Sequence, residues 1–285
     1  MLVPLIVIVL IGMALAWWLL IETEGVYLGR RVVIVLYDLY ARRYDNIKQF
    51  DPEFEQWLIA KPLLGLIEPL TSPLVLDVAT GTGRVPLALL ENPVFQGRVI
   101  GMDLSRKMLT QAATKLRDHG NRVSLIWGPA EELPFPEDVF DVVTCLESLE
   151  FMENPVKALE EMIRVLRPGG ILLISNRINT RWMPGRLWSE EELCEMIYHF
   201  GIDEMQVEPW QVDYAKLWGR KAGFSDPTGA ISLQEILFCP RCPDHPLIER
   251  NGEWFCTHCK AWTKTAPDGV IELAPLYIRN KTMQN

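Results

Sequence analysis

No lysine or arginine occurs before Arg30. A cleavable signal peptide carries a basic segment ahead of its apolar stretch and small residues at the cut. Here nothing basic precedes the run from Leu2 to Ile21, and Ala14-Leu15-Ala16 is followed by further apolar residues, which speaks for a retained membrane anchor. Cysteine is scarce as well. Six in 285 residues exclude a scaffold built on disulfides and fit a reducing compartment. There is no internal repeat and no low-complexity tract, which excludes a repeat array and leaves periodicity and chain breakers to reveal the organisation. Positive charge is short in the middle of the chain too, where residues 51–238 hold 17 basic against 28 acidic residues. Such a segment binds polyphosphate poorly, so nucleic acid is not an expected partner.

What is present is a folded, mostly apolar chain with 49% hydrophobic and 23% charged residues. That composition excludes a disordered protein. The uncharged run at the N-terminus spans a bilayer as a helix, because in lipid each backbone group needs an internal partner. Trp17 and Trp18 fall near its C-terminal end, where indole rings favour the headgroup region. Residues 23–50 place Arg30, Arg31, Arg42, Arg43 and Lys48 against Glu24, Asp38 and Asp45. The positive-inside rule therefore predicts a single-pass protein with its bulk in the cytoplasm. Val32, Val33, Leu36, Leu39 and Tyr40 recur at near-helical spacing, which predicts an amphipathic juxtamembrane helix, either packed on the following domain or lying in the interface.

From residue 51 short apolar runs alternate with helical stretches. Strands are expected at Leu74–Val78, Arg98–Met102, Val123–Trp127, Phe140–Cys145 and Ile171–Ser175, with two more closing strands within 205–221. Helices are expected over 83–91, 105–118, 155–166 and 189–200, with Pro168-Gly169-Gly170 as the turn before the fifth strand. This order implies an α/β fold, a doubly wound and mostly parallel sheet of seven strands. Pro227 and Gly229 mark a linker. The division expected is thus an anchor (1–22), a juxtamembrane helix (23–50), an α/β domain (51–230) and a small C-terminal domain (231–285).

The first strand runs into Asp77-Val78-Ala79-Thr80-Gly81-Thr82-Gly83 and at once into a helix. Glycines there let a ligand approach the backbone, and the helix start offers unpaired N–H groups. The third glycine of the dinucleotide pattern is missing, since Arg84-Val85-Pro86 follows, which weakens an NAD-binding reading. Asp103 ends the second strand, where a carboxylate can accept both hydroxyl protons of a ribose.

Several blocks in this order carry a resemblance: Tyr37-Asp38 and Tyr44-Asp45 with Ala41 between them, Leu76 to Gly83, Gly101-Met102-Asp103-Leu104-Ser105, Ala130-Glu131-Glu132-Leu133-Pro134-Phe135, Phe140-Asp141-Val142-Val143, and Arg164 to Gly170. Over roughly residues 37–221 the chain resembles class I methyltransferases that use S-adenosylmethionine (SAM), especially the branch with quinone-biosynthesis enzymes. The resemblance implies SAM as cofactor, with Gly81 and Gly83 along its methionine and ribose part, Asp77 organising the loop and Asp103 on the ribose hydroxyls. It places Leu104 or Met102 beside the adenine and the Ala130 N–H at its edge, and brings Tyr44, Ala79 and Glu131 into the same cofactor set. Pro129 stands where the family commonly has an acidic residue for the adenine amino group, so that contact is missing. Glu147 and Glu150 follow the fourth strand and are the candidates for accepting a proton from, or orienting, a substrate; the alternative is a pair of solvated loop acids.

Cys239-Pro240-Arg241-Cys242 and Cys256-Thr257-His258-Cys259 form two Cys-x-x-Cys hooks separated by thirteen residues. Four thiolates at this spacing close around one tetrahedral zinc ion, and the stretch between them is long enough for a hairpin. Residues 236–276 also resemble small zinc-ribbon domains, including the zinc-binding activator subunit of tRNA and translation-factor methyltransferases. The leading expectation is a membrane-anchored methyltransferase acting on a quinone or lipid. An RNA or protein methyltransferase that uses its ribbon for substrate contact, and an idle assembly subunit of a membrane complex, stand beside it.

Overall fold

This computed structural model describes residues 2–178 and 183–276. The seven expected strands form as β1 (Leu74–Val78), β2 (Arg98–Asp103), β3 (Val123–Trp127), β4 (Phe140–Cys145), β5 (Leu166–Arg177), β6 (Ile202–Gln211) and β7 (Tyr214–Lys221). Every residue of β1 and β4 is buried, as expected for strands covered on both faces. Alternate residues serve opposite layers. Leu74, Leu76 and Val78 pack into one core with helix Pro155–Val165, while Val75 joins Leu89, Leu109 and Leu116 in the other.

The helices begin where side chains satisfy the free N–H groups of a first turn. Ser105 caps Arg106–Lys115, Asn154 with Pro155 opens Pro155–Val165, and Ser189 with Glu192 makes a capping box on Glu190–His199. β5 is longer than the apolar run predicts. Its pairing starts at Leu166 opposite Phe140 and resumes at Ile171 after an irregularity that accommodates Pro168-Gly169-Gly170.

The sheet has an eighth member. β12 (Val270–Ile271), from beyond the cysteine hooks, pairs parallel with β3 and gives the order β12-β3-β2-β1-β4-β5-β7-β6, with β7 antiparallel to both its neighbours. A separate antiparallel sheet holds β8 (Phe238–Cys239), β9 (Cys242–Arg250), β10 (Glu253–Cys256) and β11 (Trp262–Lys264). Leu237, Leu247, Trp254 and Leu273 belong to the same buried cluster as Leu76 and Leu159. The boundary drawn at 230 therefore separates motifs in the sequence, whereas the folded chain packs both sides into one core. Arg106 adds a clamp, with Asp268 at 2.8 Å and Glu272 at 3.5 Å.

At the N-terminus Val3–Glu22 is one helix, long and apolar enough to cross a membrane, with none of its length buried. The single juxtamembrane helix expected over 23–50 is broken into Val26–Leu28, Arg30–Tyr40, Ala41–Arg43 and Tyr44–Lys48. Gly25 and Gly29, at φ +79° and +92°, set Val26–Leu28 apart from the span and from Arg30–Tyr40.

Asp141, near the start of the interior strand β4, is a tie at the N-terminal ends of the parallel strands. Its fully buried carboxylate accepts from Leu74 N at the start of β1, from Arg167 Nε at 2.6 Å, and from Thr228 N and Gly229 N in the expected linker. One side chain thus fixes β1, β5 and the path into the ribbon. Asp141→Asn leaves the largely buried Arg167 guanidinium without a counter-charge and should lower unfolding free energy by about 3–5 kcal/mol in denaturant melts. An unchanged midpoint would show that the linker is not held through this residue.

Candidate active site

Parallel strands all point their C-terminal ends one way, and the loops leaving β1, β2, β3 and β4 meet along that edge. They enclose a cavity whose empty space, counted with its open mouth, is about 840 Å³. The floor comes from Val78, Ala79 and Gly81, from Met102 to Ser105, and from Gly128, Ala130 and Glu131. Its roof is the helix Arg30–Tyr40, which contributes Arg30, Val33, Ile34 and Tyr37.

The loop after β1 is held from beneath. Asp77 is buried and accepts from Thr80 Oγ1 and Thr144 Oγ1, each at 2.6 Å. Burial pushes its carboxyl up to about 6, against the lowering effect of those two hydroxyls. Ala79 sits at φ +56°, a conformation that costs a residue with a side chain and that the surrounding hydrogen bonds enforce. The two loop glycines do different jobs. A Cβ on Gly81 would meet nothing within 4 Å, so this backbone faces open cavity. On Gly83 it would lie 2.9 Å from Leu116 Cδ1 and 3.2 Å from Ala112 Cβ, so that glycine is required by packing against helix Arg106–Lys115.

Asp103 stands at the centre. Its carboxylate accepts from Gly81 N at 2.8 Å and Ser105 N at 2.7 Å, joining the β1 and β2 loops. Burial at the cavity wall raises it to about 6, with backbone N–H groups of Ser105 and Gly81 opposing the rise. Ser105 Oγ reaches up to Asp38 of the roof at 2.6 Å.

Of the residues singled out in the sequence, Tyr44, Ala79, Gly81, Asp103, Leu104, Ala130, Glu131 and Glu147 line this cavity. Asp77 lines a smaller adjoining pocket with Arg84, Thr82 and Phe50. Gly83 turns away, as described. The view of Glu147 and Glu150 as solvated loop acids does not fit, since both are buried. Glu147 pairs with Arg84 at 2.5 Å and Lys48 at 3.0 Å and accepts from Gln211 Nε2. Burial works to raise its carboxyl, but the charges of Lys48 and Arg84 outweigh this and hold it below its ordinary value. A carboxylate so paired is a poor base and a good anchor. Glu150 lies outside the cavity lining, bonded to Tyr214 Oη with Arg177 at 3.8 Å, and burial raises its carboxyl.

Sequence reasoning did not single out Arg84, whose guanidinium bridges Glu55 and Glu147 and stacks 4.3 Å from the Phe50 ring and 4.7 Å from that of Trp210. Its only signal was a charge directly after Gly83. Arg30 pairs with Glu131 at 3.0 Å and Glu153 at 3.1 Å across the cavity mouth, a contact with no local signature.

In the ribbon, the Sγ atoms of Cys239, Cys242, Cys256 and Cys259 all lie within 4.8 Å of one another. Around a tetrahedral ion with Zn–S bonds near 2.3 Å, sulfur atoms stand about 3.8 Å apart, so this cluster fits one zinc with little adjustment. The expected hairpin between the hooks is β9–β10, closed by Asn251-Gly252 at φ +54° and +80°.

A family model described as a methyltransferase domain matches residues 76–174. A ubiquinone/menaquinone biosynthesis C-methyltransferase UbiE from Nitrosospira multiformis is 33% identical over 167 residues, covering 54% of this chain and 68% of that one. The protein of the same name from Proteus mirabilis is 43% identical over 102 residues, 35% of this chain and 41% of that one, so the chain spans about two fifths of that relative's length. Among solved structures, the [4+2]-cyclase SpnF superposes with a TM-score of 0.57 at 20% identity, covering 68% of this chain and 97% of that one. A complex of the Haloferax volcanii Trm112 methyltransferase activator with a methyltransferase gives 0.52 at 22% identity, covering 67% and 97%. These two likenesses establish the shared fold.

The raised carboxyl of Asp103 has a stability signature. Its folded value lies above the ordinary value of 3.8, so the folded chain binds this proton more tightly and ionisation costs stability. As pH rises from about 4 through 6, wild type should lose on the order of 1 kcal/mol relative to Asp103→Asn, allowing for solvent at the cavity wall. Paired thermal melts across that range check this, and parallel pH profiles would remove the burial cost from Asp103.

Proposed function

The chain belongs to the class I SAM-dependent methyltransferases, and we propose that it methylates a lipid-soluble small molecule of the quinone type at a membrane surface. The observation that carries this reading is the cavity itself, floored by the loops of the sheet edge and roofed by the helix that follows the apolar span within eight residues of Glu22. The names of the UbiE relatives, which refer to ubiquinone and menaquinone, support a quinone-like acceptor. Val33, Ile34, Tyr37, Phe151 and Met152 offer that acceptor an apolar and aromatic wall.

Asp103 holds the ribose hydroxyls, Gly81 gives the cofactor close access to backbone, and Leu104 and the Ala130 N–H meet the adenine. Arg84 and Glu147 fix the loops at the methionine end. When bound, SAM supplies a methyl group already made electrophilic by its sulfonium. What this chain adds is alignment and the exclusion of water, which for such a transfer account for most of the rate. Glu147 acts by positioning, its charge being committed to Arg84 and Lys48, and Glu150 with Tyr214 braces the floor from below. Val3–Glu22 serves as a single span with the enzyme on the cytoplasmic side, and the four cysteines hold one structural zinc ion with no position left open for water.

Calorimetry with full-length protein in detergent should show SAM binding that Asp103→Ala weakens by about 1.5–3 kcal/mol, the scale of hydrogen bonds to a charged group. Affinity that survives the substitution would move the ribose elsewhere. For the ribbon, metal analysis should return one zinc per chain. Because β12 sits in the main sheet, chelation should lower the melting temperature of the whole molecule by several degrees. A metal-free protein that melts like the native one would defeat the zinc assignment.

A further inference from the structure

The roof helix has two faces with different tasks. Arg30, Val33, Ile34 and Tyr37 face the cavity, and Ala41 continues that buried side. On the opposite side Arg31, Val35 and Leu39 recur at i, i+4 and i+8, and Arg42 and Arg43 follow in the next turn; all five are exposed. Val35 and Leu39 show 56% and 68% of their surface, a large display for aliphatic side chains on one short helix. Arg31, Arg42 and Arg43 form no ion pair among the described residues, whereas neighbouring Arg30 holds two. Three unneutralised cations interleaved with bare aliphatic groups, in a chain of net charge −9, match an anionic lipid surface in both charge and polarity.

This face is also continuous with the span. A tight turn joins the two with no slack. Gly25 lies against the roof helix so closely that a Cβ there would come within 2.9 Å of Val32 and 3.0 Å of Leu36. Glu24 accepts from the hydroxyl of cavity-lining Tyr37 at 2.7 Å, and Trp18 at the end of the span stacks on Tyr27 at 5.2 Å. The roof is latched to the floor by Arg30 with Glu131 and Glu153, partly exposed pairs of the kind that hold weakly in water, and by Asp38, which accepts from Ser105 Oγ and Lys107 N.

We propose that the outer face of helix Arg30–Tyr40, with Arg42 and Arg43, seats on the anionic surface of the bilayer, so that the acceptor enters the cavity from the lipid beneath this roof. The inference rests on reading Val3–Glu22 as a span and the cavity as the methylation site. It adds that lipid charge, and not the anchor alone, orders the roof.

The test is amide hydrogen exchange over residues 30–43 of the full-length protein, reconstituted in phosphatidylcholine vesicles with and without about one third phosphatidylglycerol. Exchange there should slow several-fold in the anionic vesicles, and the protection should fade at about 0.5 M salt, where charges are screened beyond a few ångströms. The triple variant Arg31→Glu, Arg42→Glu, Arg43→Glu should lose the protection while staying in carbonate-washed membranes and binding SAM as before; the milder triple Gln variant should lose most of it. Equal exchange in the two lipids, or protection that survives charge reversal, would overturn the proposal. Protection that follows protein density rather than lipid charge would also overturn it, by placing a second copy on this face. Should wild type fail to bind SAM yet keep its lipid-dependent protection, the proposed activity falls and the lipid seat stands.

Discussion

One carboxylate fixes the geometry of the cavity floor. Asp103 takes hydrogen bonds from Gly81 and Ser105, so the loops leaving two adjacent strands cannot drift apart, and Ser105 in turn caps helix Arg106–Lys115 and holds Asp38 of the roof. The sheet could place these loops only because its first five strands are parallel, which gathers their C-terminal ends on one edge. The same parallel arrangement leaves that edge uncovered, since the crossover helices lie on the faces. A cover has to be brought from elsewhere in the chain, and the segment before the sheet provides it.

Charge does for the N-terminal segment what apolar packing does for the sheet. Lys48 reaches Glu147, Lys115 reaches Asp45, Arg30 reaches Glu131, and Arg84 joins Glu55 to Glu147. Most of these pairs touch solvent and hold the segment without fusing it to the core. Arg84 is the exception, buried between two carboxylates and two aromatic rings.

The core strands were legible because each is a short apolar run between breakers, and three of them begin and end where that pattern places them. Asp77, Gly81 and Asp103 were legible through their position at strand ends, and the four cysteines through their spacing. What was hidden depends on contacts between distant residues. The burial of Glu147 is set by Lys48, 99 positions away, and by Arg84, and that of Glu150 by Tyr214, 64 positions away. Gly83 looked equivalent to Gly81 until helix Arg106–Lys115 was seen against it. β12 carries no periodicity at all, being two residues long, and its pairing with β3 is purely tertiary.

That pairing bears on how the molecule is made. β3 is an edge strand until Val270 and Ile271 arrive, and an open edge with its backbone groups unpaired invites association with other chains. During synthesis the other seven strands of this sheet, β1 to β7, emerge first, so the edge of β3 stays open until the chain beyond the cysteine hooks has been made. The cysteine-rich segment, placed between, sets the path by which that partner returns.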